Sequence, residues 1–270
     1  MRLKRCAKRS CSRDKCVSYA GINYYNGALK SISIVIPAYN EEQRLPSTLE
    51  AVFEYLGRSA WRNAEVLVVD DGSTDATPDV VRQFSRSHPG LRLLENPGNR
   101  GKGYAVRHGM LEAAGDWILF TDADLSAPIE ELDKLSAACR EQGARVAIGS
   151  RALDRSLIAV RQSWFRENAG KLFNLLVRLL AGLPFRDTQC GFKLFERQSA
   201  HEIFRRQRLE RFGFDVEILF IARHLRIPAV EVPVRWSHAA GTKVNMLRDS
   251  CTMFLDLLRI RWNQLRGFYR

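Results

Sequence analysis

Long hydrophobic runs are missing from this 270-residue chain. Nothing in it approaches the about 20 uninterrupted apolar residues that a membrane-spanning helix needs. The longest apolar stretch, LFNLLVRLLAGLPF at 172–185, is too short and carries Arg178. The basic opening MRLKRCAKRSCSRDKC has no apolar segment behind it, so it does not read as a secretory signal. A zinc framework is also missing. Cys6, Cys11 and Cys16 recur every five residues with no His nearby, and Cys139, Cys190 and Cys251 stand alone. Reduced thiols in a cytosolic protein are the expectation. Glycines at 98, 101 and 103 surround Lys102, but Gly103 stands where a P-loop needs Ser or Thr. No G-x-G-x-x-G follows the first strand. Internal repeats and low-complexity linkers are absent as well. Acidic residues are in the minority, 30 against 42 Lys+Arg for a formal net charge of +12, which favours anionic partners: nucleic acid, anionic lipid or phosphorylated substrates.

What is present is an alternation of strands and helices. Residues 1–30 read as a basic, poorly ordered lead-in. Ile32, Ile34 and Ile36 with Val35 make a β-branched run that stops at Pro37, followed by a helix over EEQRLPSTLEAVFEYLGR. AEVLVVDD is a second strand and LRLLEN a third. GKGYAVRHGMLEAAG is a helix, DWILFTDAD the fourth strand, and PIEELDKLSAACREQG a helix with Pro128 at its start. RVAIGSR is the fifth strand. Later come a helical region over 160–182, a helix around 214–226, a strand AVEVPVRW and a basic amphipathic C-terminal helix. That helix carries Phe254, Leu257, Leu258, Trp262 and Leu265 among arginines, a pattern shared by helices that pack on a domain and helices that lie in a membrane interface.

This order implies an α/β fold with a mostly parallel sheet covered on both faces by helices. In such sheets ligands bind at the carboxyl ends of the strands. Those ends hold Asn40 and Glu41, Asp70 and Asp71, Asp122 and Asp124, Ser150 and Arg151. One crevice should collect them. Asp122 and Asp124 lie two apart, and positions i and i+2 of an extended chain project to one side. A hard divalent cation, Mg2+ or Mn2+, shared with substrate phosphates would neutralise such a pair. The plainer reading, a helix cap for residues 128–142, suits Ser126 better than Asp124. Asp70 and Asp71 read either as a turn with Gly72 or as a ribose or base contact. Arg151, Arg161, Arg186, Lys193, Arg235 and Lys243 are candidate phosphate contacts, with Lys243 in the small-residue loop AAGTKVN the best of them.

The blocks SIVIPAYNEEQRLPSTL, VLVVDDGSTDAT, GNRGKGYAVRHGM, FTDADLSAP and VAIGSR, in this order, resemble glycosyltransferase family 2. FRDTQCGFKLF, ERFGFDVEILFIAR and VEVPVRW with the later GTK resemble its dolichyl-phosphate β-glucosyltransferases, relatives of the dolichol-phosphate mannose synthases. The resemblance implies a GT-A nucleotide-sugar-binding domain over 31–243, with residues 244–270 as an amphipathic helix suited to a membrane interface. It implies inverting transfer of a hexose, from UDP-glucose or alternatively GDP-mannose, to a polyprenyl phosphate, with Mg2+ or Mn2+ as cofactor. Pro37, Ala38, Tyr39, Glu41, Asp70, Asp71, Gly101, Lys102, Asp122, Ala123 and Arg151 would line the donor. Asp122 and Asp124 would hold the metal, Asp187 would be catalytic or positioning, and Gln189, Lys193, Arg235 and Lys243 would face the acceptor and its phosphate. The implied partners are a nucleotide sugar, a polyprenyl phosphate and the cytoplasmic face of a membrane, with no nucleic acid. Two departures stand out: LSAP follows Asp124 where the glucosyltransferases tend to have Gly-Ala-Thr, and Ser126 stands where mannose synthases often place a Gln metal ligand. A non-lipid glycan acceptor, or a membrane- or RNA-binding protein on a degenerate transferase fold, are the competing readings. The intact D-x-D argues against the second.

Overall fold

A computed structural model describes residues 31–158, 177, 178, 180–237 and 246–270. The first half follows the expected alternation: β1 (Ser31–Ala38), α1 (Leu45–Arg58), β2 (Arg62–Asp70), α2 (Thr77–Ser85), β3 (Leu91–Glu95), α3 (Lys102–Glu112), β4 (Trp117–Thr121), α4 (Glu131–Gln142) and β5 (Val146–Ser150). Then come β6 (Phe192–Glu196), α5 (Arg197–Arg206), α6 (Phe214–His224), β7 (Ala229–Pro233) and α7 (Met246–Leu265). The strands form one seven-stranded sheet in the order β3-β2-β1-β4-β6-β5-β7. Only β6 runs against the others, pairing antiparallel with both β4 and β5.

The β-branched runs explain the layering. Strand side chains alternate between faces, so Ile32, Ile34 and Ile36 enter one core with Val66, Val68 and Leu119. Val35 enters the other with Leu67, Val69, Ile118 and Phe120. All of these are fully buried, each contributing about 1.5–3 kcal/mol of transfer free energy. The reading of a parallel sheet covered on both faces holds.

Several details differ from expectation. Strand β6 and helix α5 differ from the sequence reading; FKLFE is buried on both faces in spite of Lys193, but it is short and follows an irregular block. Helix α4 begins at Glu131, three residues after Pro128, and Ser126 does not cap it. Helix α1 starts at Leu45 rather than at the Glu41–Glu42 pair, because Pro46 fits only a first turn. The lead-in 1–30, most of the 160–182 region and the loop with Lys243 lie outside the described residues.

Helix α7 packs on α6 through Leu257 and Ile260. Its far end is pinned by the buried Tyr269, whose hydroxyl donates to Glu217 Oε1 at 2.6 Å. Glu217 Oε2 accepts the backbone N–H groups of Arg208 (3.0 Å) and Leu209 (2.8 Å). Burial pushes the Glu217 carboxyl up, so every donor it keeps matters. Replacing Tyr269 by Phe should cost about 1–3 kcal/mol, the range for leaving a buried acceptor short of a partner. Urea denaturation reads this as a lower midpoint at unchanged slope, and an unmoved midpoint would refute the clamp.

Candidate active site

Hydrogen bonds stitch the loops at the carboxyl ends of the strands into one rim. The loop after β1 meets the loop after β2: Asn40 N–H donates to Ser73 Oγ (2.9 Å), Thr74 N–H to Asn40 Oδ1 (2.8 Å) and Glu41 N–H to Thr77 Oγ1 (2.7 Å). Asp71 then ties the end of β2 to the glycine-rich entry of α3. Its carboxylate accepts from Asn96 Nδ2 (2.8 Å) and from the backbone N–H groups of Arg100 (3.1 Å) and Gly101 (2.7 Å). Gly72, at φ +74°, lets the two loops touch, since a Cβ there would lie 2.6 Å from the Gly98 backbone. Asp70 accepts the N–H groups of Gly72 and Ser73 in its own turn. Both aspartates are buried and both bind their own backbone. The turn reading therefore describes Asp70, whereas the Asp71 side chain reaches across to the loop at 96–101.

At the centre of the rim, charges alternate. Lys102 Nζ lies 2.5 Å from Asp122 Oδ1. Burial alone would lower the lysine's pKa, but Asp122, Asp215 and Asp124 together raise it, so the ammonium stays charged. Behind it, the fully buried Lys193 pairs with Asp215, in the first turn of α6, and donates to the Cys190 carbonyl at 2.7 Å. The Phe120 ring lies close to both ammonium groups, 5.5 Å from Lys102 Nζ and 5.4 Å from Lys193 Nζ. Lys193 has no exposed surface with which to reach a phosphate; it anchors Asp215 instead.

A second ion pair marks the far side of the crevice. Asp187 accepts from Arg151 Nε (2.6 Å), Arg151 Nη2 (2.8 Å) and the Arg151 backbone N–H (3.0 Å). Its own N–H donates to Glu231 Oε1 (2.8 Å), and the Gln189 N–H bonds back to it (3.2 Å). Burial pushes the Asp187 carboxyl up, but the guanidinium and the backbone donors prevail and hold it below the usual carboxylate range. Cys190, beside it, has its thiol pushed up to about 12 by burial and is no nucleophile at neutral pH. Arg235 is bound to Glu131, the first residue of α4. Sequence reasoning missed Asp215 and Glu131, the hidden counter-charges of Lys193 and Arg235, and Glu231, whose carboxylate accepts the backbone N–H groups of Arg186 and Asp187.

The donor set at Asp122 and Asp124 suits a hard cation. It is oxygen-only and partly exposed, and Asp124 Oδ1 accepts the Ser126 N–H (3.0 Å). The ammonium already on Asp122 marks the position as one that takes positive charge. Gly191 makes room for it: a Cβ there would fall 2.0 Å from Asp122 Oδ2. Two protein carboxylates leave most of an octahedral shell to water and substrate oxygens, as Mg2+ prefers.

Residues 33–204 match the family described as Glycosyl transferase family 2. The dolichyl-phosphate beta-glucosyltransferase of Drosophila melanogaster is 43% identical over 251 residues, covering 88% of this chain and 77% of its own length. That of Homo sapiens is 37% identical, covering 91% and 79%. Among solved structures, glucosyl-3-phosphoglycerate synthase from Mycobacterium tuberculosis in complex with Mn2+, UDP-glucose and phosphoglyceric acid superposes with a TM-score of 0.62. It is 19% identical and covers 86% of this chain and 79% of that one.

Two outcomes follow. Asp187 is depressed in the folded state, so its contribution is complete above the ordinary carboxylate range and fades as pH falls through the folded value. The stability gap between the wild type and Asp187→Asn should therefore be full at neutral pH and close below about pH 4; a gap independent of pH would contradict the pairing. Gly191→Ala should leave the fold intact but push the Asp122 carboxylate aside, weakening Mn2+ binding by about tenfold or more in calorimetry.

Proposed function

The chain belongs to glycosyl transferase family 2 and is a glycosyltransferase of GT-A fold, and on that premise we propose that it moves glucose from UDP-glucose to a dolichyl-type polyprenyl phosphate with inversion. The observation that carries the reading is the 43% identity to a dolichyl-phosphate beta-glucosyltransferase over 88% of the chain. Such coverage takes in the half beyond β5 as well as the donor half.

In this reading Pro37, Ala38, Tyr39 and Glu41 flank the nucleotide, and Gly101 presents backbone to it. Asp70 and Asp71 shape that wall by holding the loops at 72–73 and 96–101. A divalent cation on Asp122 and Asp124 would stabilise the negative charge that grows on the departing nucleoside diphosphate. Lys102 is within reach of the same charge and can pass from Asp122 to a phosphate oxygen. Arg151, fixed by Asp187, presents a guanidinium to a phosphate, while Gln189 and Lys243 serve the acceptor. Asp187 acts as a holder rather than a base, since its oxygens are spent on Arg151 and its basicity is reduced.

No strong base is required. A phosphate monoester has a second pKa of about 6 and attacks as a ready oxyanion at neutral pH. A polyprenyl-phosphate acceptor calls for a membrane surface, and the proposed location is its cytoplasmic face, with the enzyme held peripherally. No helix among the described residues is long and apolar enough to cross one.

Purified protein given UDP-glucose or GDP-mannose, polyprenyl phosphate and Mn2+ or Mg2+ should yield an inverted glucosyl phospholipid from UDP-glucose. Label from GDP-mannose alone in the lipid, or label only in a soluble glycan, would overturn the assignment. Asp122→Asn should lower turnover by about a hundredfold or more, with the fold unchanged by circular dichroism.

A further inference from the structure

Helix α7 has two apolar faces, and among the described residues only one is packed. Asp256, Leu257 and Ile260 are buried against the domain. At about 100° per residue, Phe254, Leu255, Leu258, Trp262 and Leu265 fall within a single arc on the other side. Their exposures are 39%, 57%, 47%, 56% and 80%. Soluble surfaces rarely leave five large apolar side chains in one stripe without a use.

The edges of the stripe say what covers it. Arg259 and Arg266 border one side and Arg261 the other. The Arg259 side chain is 69% exposed even with Asp256 3.4 Å away, and Arg266 lies 4.9 Å from the centre of the Trp262 ring. Between Phe254 and Leu265 the one carboxylate is Asp256, and it points inward. A second copy of this chain would bring arginines against arginines. A bilayer carrying anionic lipid offers hydrocarbon for the stripe and negative charge for both borders, and an aromatic ring beside a guanidinium suits the depth of the headgroups.

We propose that the outer face of α7 docks the enzyme on anionic membrane surfaces, lying in the interface plane. The placement serves the reaction as well, a point that rests on the proposed polyprenyl-phosphate acceptor. Gln189, next to Asp187, reaches Met253 Sδ on α7 at 3.7 Å. A helix seated in the headgroup layer would thus set the acceptor side of the crevice at the membrane surface, where a lipid phosphate enters.

The test is cosedimentation of the full chain with phosphatidylcholine vesicles, with and without phosphatidylserine. The wild type should bind the phosphatidylserine vesicles at least about tenfold more tightly than the neutral ones. Leu258→Ser with Trp262→Ser should reduce that binding by about tenfold or more, and Arg259→Glu with Arg261→Glu should abolish the preference for phosphatidylserine. Both double variants should keep wild-type glucosyl transfer to a short, water-soluble prenyl phosphate. Absence of wild-type binding, or binding that both variants retain, would overturn the proposal. So would sedimentation velocity showing a dimer that the Leu258/Trp262 variant loses. Intact vesicle binding alongside a failed transfer assay would sustain the docking face and reject the substrate assignment instead.

Discussion

Carboxylates gathered at one end of a parallel sheet repel one another and resist desolvation, and the crevice exists because each is matched. Asp122 meets Lys102, Asp215 meets Lys193 and Asp187 meets Arg151. The matching differs in kind. Lys193 and Asp215 are sealed in the interior, where losing either partner would strand a charge. Lys102 and Asp122 are partly exposed, so that pair can open and exchange its cation without such a penalty. The buried pair gives the site its shape, and the exposed pair gives it a replaceable charge.

Sequence alone exposed the parallel half of the fold well. The runs ending in Pro37, Asp70, Thr121 and Ser150 are apolar on both faces and stop at polar residues, which marks a covered sheet and the edge where its site lies. The strand that escaped notice, β6, has five residues and follows the irregular 185–191 block, so neither length nor periodicity announced it. Partnerships were the other blind spot. Lys193 looked like a free cation because its counter-charge, Asp215, is distant in the chain and embedded in what reads as an ordinary amphipathic helix. Arg235 and Glu131 were concealed in the same way. Charged residues can be located from composition and spacing, but whether they face a ligand or each other depends on tertiary contacts.

The C-terminal helix shows how a structure can dissolve an apparent choice. Packing on the domain and lying in an interface had looked like alternatives for one apolar stripe. In the fold the packed face bears Leu257 and Ile260, while Leu258 and Trp262 lie exposed on another face of the same helix, so packing on the domain leaves the second face available. The anchoring of Tyr269 on Glu217 keeps the inner face seated, which in turn fixes the direction in which the outer one looks.

The reversed strand β6 has a consequence for the order in which the molecule assembles. The strands β3, β2, β1 and β4 all precede β5 in the chain and can pair with one another before β6 is made. Their sheet then ends in β4, an open edge. β5 cannot join that edge directly; it waits for β6, which comes later in the chain and pairs with both. During synthesis, then, the donor half exists with an unsatisfied edge until β6 emerges. The same pairing that covers the β4 edge brings Gly191 against Asp122, whose N–H donates to the Gly191 carbonyl at 3.2 Å, so the surroundings of that carboxylate are completed only when the edge is covered.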